Sequence, residues 1–449
     1  MTGLSLDALR DCLEGAIPAL VATCSADGTP NISYVSQVHY VDGEHVALSF
    51  QFFNKTRQNV LENPRATLLV ANPATAALYR FAVEYLRTET SGPLFEGMKA
   101  KLAGIASHTG MAGVFHLKGS DVYRVRSIER VTGSERNAPL PQRNLLAAVR
   151  RAGSRLASAR DLGALFERAL DALEHDFGIR QAMILMVDES GESLYTVATR
   201  GYPQSGIGSE IRCGDGVIGV AARERAAIRI NHSTAEYCYG RALRESVAQA
   251  GDGVLPTEIP FPGLPAPGSQ LAVPILFADR LTGVLFVEAH EAGRFNYDDE
   301  DALAALAAQL AAGIQLLQGA AEADQDDGAA RRAAAEPQGR VLTVRRYAAN
   351  DSVFLDDDYL IKGVAGAIFW KLARDYVSEG RSEFTNRELR LDPSIRLPAL
   401  SENLEARLIL LERRLVERGG DVRIEKTGRG RFRLVVRRPL ELAEVPAAH

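Results

Sequence analysis

Residues 27–66, DGTPNISYVSQVHYVDGEHVALSFQFFNKTRQNVLENPRA, decide how the first third of the chain is read. They hold β-prone runs separated by Asp-Gly dipeptides at 27–28 and 42–43, the turn chemistry of hairpins. Outward from this stretch, IPALVATC (17–24) and RATLLVAN (65–72) add further short strands. Short strands at such close intervals predict a small antiparallel barrel. Asn54-Lys55-Thr56-Arg57 then opens a short helix that must end before Pro64. Free backbone N–H groups at a helix start, beside a lysine and a threonine hydroxyl, make a place for a phosphate monoester.

The order of strand, turn, strand and short helix ending in Asn-Pro resembles the core of the pyridoxamine 5'-phosphate oxidase-like FMN-binding split barrels. The resemblance covers about residues 10–130, including GVFHLKGSDVYRVRSIERV at 113–131. It implies FMN as cofactor, with Lys55 and Thr56 holding the phosphate and Arg57 or Asn59 assisting. Val35, Ser36 and Gln37 would lie along the isoalloxazine edge, while Ser49, Phe50 and Gln51 would face the ring and ribityl chain. It also implies a homodimer with flavin between the subunits. Residues matching those that hold pyridoxal phosphate in the oxidases are not found downstream, and haem or F420 in place of FMN stays open. His108 and His116 read as ordinary hydrogen-bonded residues.

A chain of 449 residues predicts several domains, and 46% hydrophobic with 24% charged residues excludes wholesale disorder. No uninterrupted apolar run of about 18 residues is present, and the start MTGLSLDALRDCLEG carries acids where a secretory signal needs bases and grease. The expectation is a cytoplasmic protein without membrane contact. Four cysteines without CxxC spacing argue against a disulfide scaffold and against a metal site. The net charge is -5, yet residues 341–438 hold 20 basic against 15 acidic side chains, a local +5. Such segregation points to a module facing a polyanion. Residues 319–339, GAAEADQDDGAARRAAAEPQG, read as a linker, and TGSERNAPLPQ (132–142) as a weaker seam. Three modules follow: 1–132, 143–318 and 340–438.

In the second module, residues 143–180 have helical periodicity with Leu162, Leu165, Phe166, Ala169, Leu170 and Leu173 on one face. Mixed strands and a closing helix, FNYDDEDALAALAAQLAAGIQLL (295–317), complete an α+β arrangement. GDGVIGVAARERAAIRI (214–230), a glycine pattern leading into a strand, and LAVPILFADRLTGVLFVEAHEAGRFNYDDEDALAALAAQLAAGI (271–314) resemble a GAF domain. That resemblance implies a small-molecule ligand or a dimerisation unit. The loop from about 231 to 269 is long enough to be functional, and His232, Tyr237, Cys238 and Tyr239 could line its pocket. Cys238 reads equally well as a small hydrophobe.

In the third module, a helix is predicted from about Leu360 to Ser378, a second opens at Thr385 with Glu388 in a capping-box position, and a third spans SENLEARLILLERRLVERGG (401–420). DVRIEKTGRGRFRLVV (421–436) predicts a hairpin. These parts make a winged helix-turn-helix, resembling the effector domains of two-component response regulators. Arg407, Arg414, Lys426, Arg429, Arg431 and Arg433 are the candidate DNA contacts. Acids on the third helix allow a plainer reading, a solvated face laced with i,i+4 ion pairs.

The fold class expected is thus multidomain α+β: an antiparallel split barrel, a GAF-type sandwich and a C-terminal winged helix. The function expected is a flavin-linked one-component sensor that regulates transcription. The alternatives are an FMN-dependent oxidoreductase regulated by its GAF domain, and a cofactor-free adaptor.

Overall fold

The computed structural model describes residues 4–13, 19–35, 38–50, 55–72, 75–92, 94–99, 102, 117–131, 144–188, 190–230, 259–323, 339–395, 404–428 and 430–446. In the first module β1 (Ala19–Cys24), β2 (Pro30–Val35), β3 (Val38–Asp42) and β4 (His45–Phe50) precede α1 (Lys55–Glu62), and β5 (Arg65–Ala71), β6 (Leu78–Glu89) and β7 (Gly119–Val131) follow. All pair antiparallel in one sheet, ordered β2-β1-β5-β6-β7-β4-β3. The run 31–41, read as a single strand, is therefore two strands lying at opposite edges of the sheet. Val35 and Val38 end and begin those edges, and three residue steps span at most about 11 Å. The sheet must curl until its edges nearly meet, which splits the barrel at that seam. Val21, Val46, Leu68 and Phe81 fill its interior without measurable exposure.

The helical stretch expected over 143–180 is two helices, α2 (Leu145–Leu156) and α3 (Leu162–His175). Asp161 starts the second by accepting a hydrogen bond from the Ala164 N–H at 2.8 Å. The sheet order is β10-β9-β8-β13-β12-β11, with β8 (Gln181–Val187), β9 (Ser193–Arg200), β10 (Glu210–Arg212), β11 (Ile228–Ile230), β12 (Ser269–Phe277) and β13 (Arg280–Ala289). Every pair is antiparallel rather than mixed. The glycine-rich GDGVIGV opens a helix, α4 (Gly216–Glu224), and the strand expected after it is β11. Gly219 is required there, because a Cβ would lie 2.2 Å from the Arg212 carbonyl oxygen. The last sensor helix, α5 (Tyr297–Ala323), runs into the stretch expected as linker. By length and apolarity it would suffice to cross a membrane, but Leu303, Leu306, Leu310 and Ile314 bury one face in the core.

The third module begins with strands that the sequence reading did not anticipate: β14 (Leu342–Tyr347), β15 (Ser352–Leu355) and β16 (Asp358–Ile361). Then come α6 (Gly363–Glu379), β17 (Glu383–Thr385), α7 (Asn386–Leu391), α8 (Leu404–Glu417) and the hairpin β18 (Val422–Gly428) and β19 (Arg431–Val436). A last strand, β20 (Leu440–Val445), lies beyond the expected end at 438 and pairs parallel with β14. The capping box is half realised. Thr385 accepts from the Glu388 N–H at 3.2 Å, but the Glu388 carboxylate turns to Arg381.

Lys371, paired within α6 to Asp375 at 2.8 Å, ties that helix to the turn after α7 through Asp392 at 2.7 Å. Burial acts to raise the Asp392 carboxyl, but hydrogen bonds from Lys371 and Ser394 outweigh it and hold it at about 2, against an ordinary 3.8. A depressed acid contributes stability above its unfolded value and loses it as pH falls through the folded one. Part of the stability therefore disappears between about pH 4 and pH 2. Urea midpoints across that window should flatten for Asp392→Asn relative to the parent protein.

Candidate functional sites

At the start of α1, Lys55 is exposed, and among the described residues its ammonium has no hydrogen-bond partner. Thr56 is buried: its Oγ1 accepts from Asn31 Nδ2 at 2.8 Å and shares a hydrogen bond with Ser33 Oγ at 2.7 Å. Asn59 Nδ2 donates to Thr23 Oγ1 at 3.1 Å. These contacts fix the helix start against β1 and β2, and they occupy the Thr56 hydroxyl. Asn59 Oδ1 and Ser120 Oγ are buried without a hydrogen bond among the described residues. Such groups normally find a partner, so each is available to a polar ligand. Rotating the Asn59 amide would let Thr23 donate to Oδ1 and turn the NH2 toward an anion.

Arg57 faces another way. Its guanidinium pairs with buried Asp121, donates to Thr88 Oγ1 at 3.0 Å and stacks 4.1 Å from the Phe50 ring centroid. Thr88 in turn donates to Asp121 at 2.5 Å. With its charge already met, Arg57 orients Phe50, and Lys55 is the cation left without an ion pair at this helix start among the described residues. Val35 is buried at the end of β2, and Ser49 pairs with Ser120 across β4 and β7. Ser36, Gln37 and Gln51 lie outside the described residues.

The sensor sheet carries a buried carboxylate. Glu288, 1% exposed, accepts from the Leu264 N–H at 2.7 Å and Gln270 Nε2 at 3.1 Å. Burial, with Glu288 nearby, pushes the Tyr202 phenol upward, keeping it neutral. No sequence signal marked this cluster, because a glutamate inside a long apolar strand reads as a strand end. His232, Tyr237, Cys238 and Tyr239 lie outside the described residues.

The expected DNA contacts scatter. Arg407 is buried, its guanidinium 3.6 Å from the Tyr195 ring centroid of the sensor. Arg414 is buried against the Tyr359 and Leu360 carbonyls and pairs with Glu417 at 2.8 Å. Neither presents a cation to a partner in this arrangement. Lys426 pairs with sensor Asp161 at 3.2 Å and Arg433 with Glu425 at 2.7 Å, while Arg431 has no partner among the described residues. Arg429 lies outside them. Arg413, not among those candidates, donates to the Val197 carbonyl and to Glu167, both at 2.7 Å. The face of α8 expected to be solvated is thus docked on the sensor. Leu162, Phe166 and Ile314 share one apolar core with Ile409, Leu411 and Leu415.

The barrel is coupled to the sensor as well. Arg10 pairs with Asp301 at 2.8 Å, and Arg10 and Arg229 lie 4.9 and 4.5 Å from the Tyr297 ring centroid. The Tyr297 hydroxyl donates to the Leu13 carbonyl at 3.3 Å. The first turn of α5 is therefore clamped to the barrel.

Comparison with known proteins covers the first two modules. Residues 5–117 match the family model described as pyridoxamine 5'-phosphate oxidase, and residues 159–315 match that of the GAF domain. An uncharacterized protein of Methanocaldococcus jannaschii is 41% identical over 62 residues, 13% of this chain and 41% of that protein, so the chain spans less than half of that relative's length. An FMN-binding protein from Syntrophomonas wolfei subsp. wolfei is similar over 28% of this chain and 86% of its own, at 20% identity and a TM-score of 0.25. The GAF domain of an Acinetobacter phosphoenolpyruvate-protein phosphotransferase is similar over 40% and 99%, at 16% identity and a TM-score of 0.31. The free methionine-R-sulfoxide reductase of Neisseria meningitidis follows at 39% and 91%, 19% identity and 0.31. The chain carries a pyridoxamine 5'-phosphate oxidase-like domain followed by a GAF domain.

Proposed function

We propose that this protein is a cytoplasmic, homodimeric, flavin-linked sensor whose C-terminal module, residues 340–446, is a winged helix that binds DNA when the sensor lets it go. One observation carries the reading. The helix expected to meet nucleic acid, α8, is held by the sensor through Arg407 on Tyr195 and Arg413 on Val197 and Glu167. An output element whose cations are engaged by the input domain has two states with different exposed charge, and a ligand that favours one shifts the balance. Electrophoretic retention of duplex DNA tests it: Arg429→Ala with Arg431→Ala should abolish whatever retention the parent chain shows, and unchanged retention sinks direct binding.

In this reading FMN is the group in the barrel, with Lys55 and the first N–H groups of α1 taking its phosphate and Asn59 and Ser120 available to its polar edge. Bound flavin supplies reversible redox chemistry. The residues would hold and orient it. Lys55→Ala should weaken FMN binding about tenfold, measured by quenching of flavin fluorescence. Steady turnover with NAD(P)H would instead favour the oxidoreductase reading.

We assign the second copy to edge strand β2, a reading supported by Ile32 and Tyr34, which are 69% and 78% exposed. Large apolar side chains on an unpaired strand edge are a contact surface. Tyr34→Glu should turn a dimer into a monomer in sedimentation velocity, and a parent protein that is already monomeric would rule the dimer out.

A further inference from the structure

Between sensor and output lies a cavity of about 550 Å³, the size of a metabolite site. Leu162 and Leu317 form its sensor wall, and Leu408, Ile409, Ile424 and Phe432 form the output wall. On α8, Glu405, Leu408, Ile409 and Glu412 fall at i, i+3, i+4 and i+7, so one helix face lines it. Of its charged lining residues, Asp161, Lys426 and Glu405 have partners, while Arg160, Arg431 and Glu412 have no ion pair among the described residues. Asp161 and Lys426 pair across the seam at 3.2 Å, Arg413 beside Glu412 is taken by Glu167, and Glu405 accepts from Asn386 at 3.4 Å. Glu412, half-buried, makes no hydrogen bond among the described residues.

We propose that this cavity binds a small amphipathic amine, its apolar body between α3 and the hairpin and its ammonium hydrogen-bonded to Glu412. The proposal deepens the regulatory reading and rests on it for its consequence. Burial raises the Glu412 carboxyl above its ordinary value while Lys426 and Arg413 lower it; a cation at the carboxylate would act in the same direction as those two. Arg160 and Arg431 also line the cavity and count against a second positive charge on the ligand. Because the walls come from two domains, the ligand binds only the docked state. At a concentration a hundredfold above its Kd it would favour that state about a hundredfold, and undocking would release it.

The test uses the full chain without DNA and the fluorescent probe dansylcadaverine, an aryl sulfonamide with a primary amine, against dansylamide, which lacks it. Saturable binding of dansylcadaverine is expected, weakened about tenfold by Glu412→Gln with dansylamide unaffected. Ile409→Trp should fill the cavity and remove both. If that variant misfolds, the Glu412→Gln comparison still decides. Absence of saturable binding up to about 1 mM, or equal binding to the parent and Glu412→Gln, overturns the proposal. If DNA retention fails while the probe binds as expected, the site stands and the transcriptional reading falls; the converse result leaves that reading intact.

Discussion

Glu167→Arg is expected to release α8 from the sensor while leaving every charge of the output module unchanged. Glu167 receives Arg413 at 2.7 Å and Arg200 at 3.0 Å. An arginine at 167 would face both guanidiniums; only the Arg413 contact crosses to α8, and there an attraction becomes a repulsion. Glu167 is half exposed, so each ion pair alone contributes at most about 1 kcal/mol. The reversal, together with displacement of Arg413 from the Val197 carbonyl, brings the expected shift to about 2–3 kcal/mol, or roughly 30- to 150-fold in the docking equilibrium. Amide protection across 404–417 should fall accordingly in hydrogen exchange, and DNA retention at low salt should rise more than about tenfold. The charge swap Glu167→Arg with Arg413→Glu rebuilds the pair in reverse and should recover protection. If protection in α8 is unchanged by Glu167→Arg, the apolar seam around Ile409 holds the helix alone and the arginine is not the latch.

Much of this arrangement is visible in sequence, for reasons that also explain what is not. Strand alternation and turn dipeptides mark β1, β4 and β5, and the leucine stripe marks α8, because local periodicity encodes which face is dry. Periodicity does not encode which partner makes it dry. The leucines of α8 were legible as buried, but Ile409 and Arg407 turn to the sensor, and nothing in 401–420 names Tyr195. Pairing is silent for the same reason, so 31–41 reads as one strand although its halves occupy opposite edges. The strands of 342–361 are short and interrupted by Asp356 to Asp358, and β20 adds its ladder from about a hundred residues away, beyond the reach of any local window. At the barrel end the cationic helix start was legible as a phosphate cradle. That Arg57 serves Asp121 and Phe50 follows from a contact 64 residues distant.

That contact gives the largest stability effect expected. Asp121, 6% exposed, accepts from Arg57 and Thr88, and the Arg57 side chain is 18% exposed. Removing one partner of a buried pair leaves an uncompensated charge, a loss of about 3–5 kcal/mol. Asp121→Ala should therefore lower the barrel's thermal midpoint by on the order of 10 °C or more. Removing both charges is a different experiment. Arg57→Met with Asp121→Leu keeps the volume, drops two desolvation costs and should restore most of the midpoint. Phe50 would then lose the guanidinium stacked on it, so flavin affinity in the double variant should stay low although the fold recovers. Recovery of both stability and affinity would mean that the pair serves the fold alone, and a midpoint insensitive to Asp121→Ala would mean that Arg57 reaches water once its partner is gone.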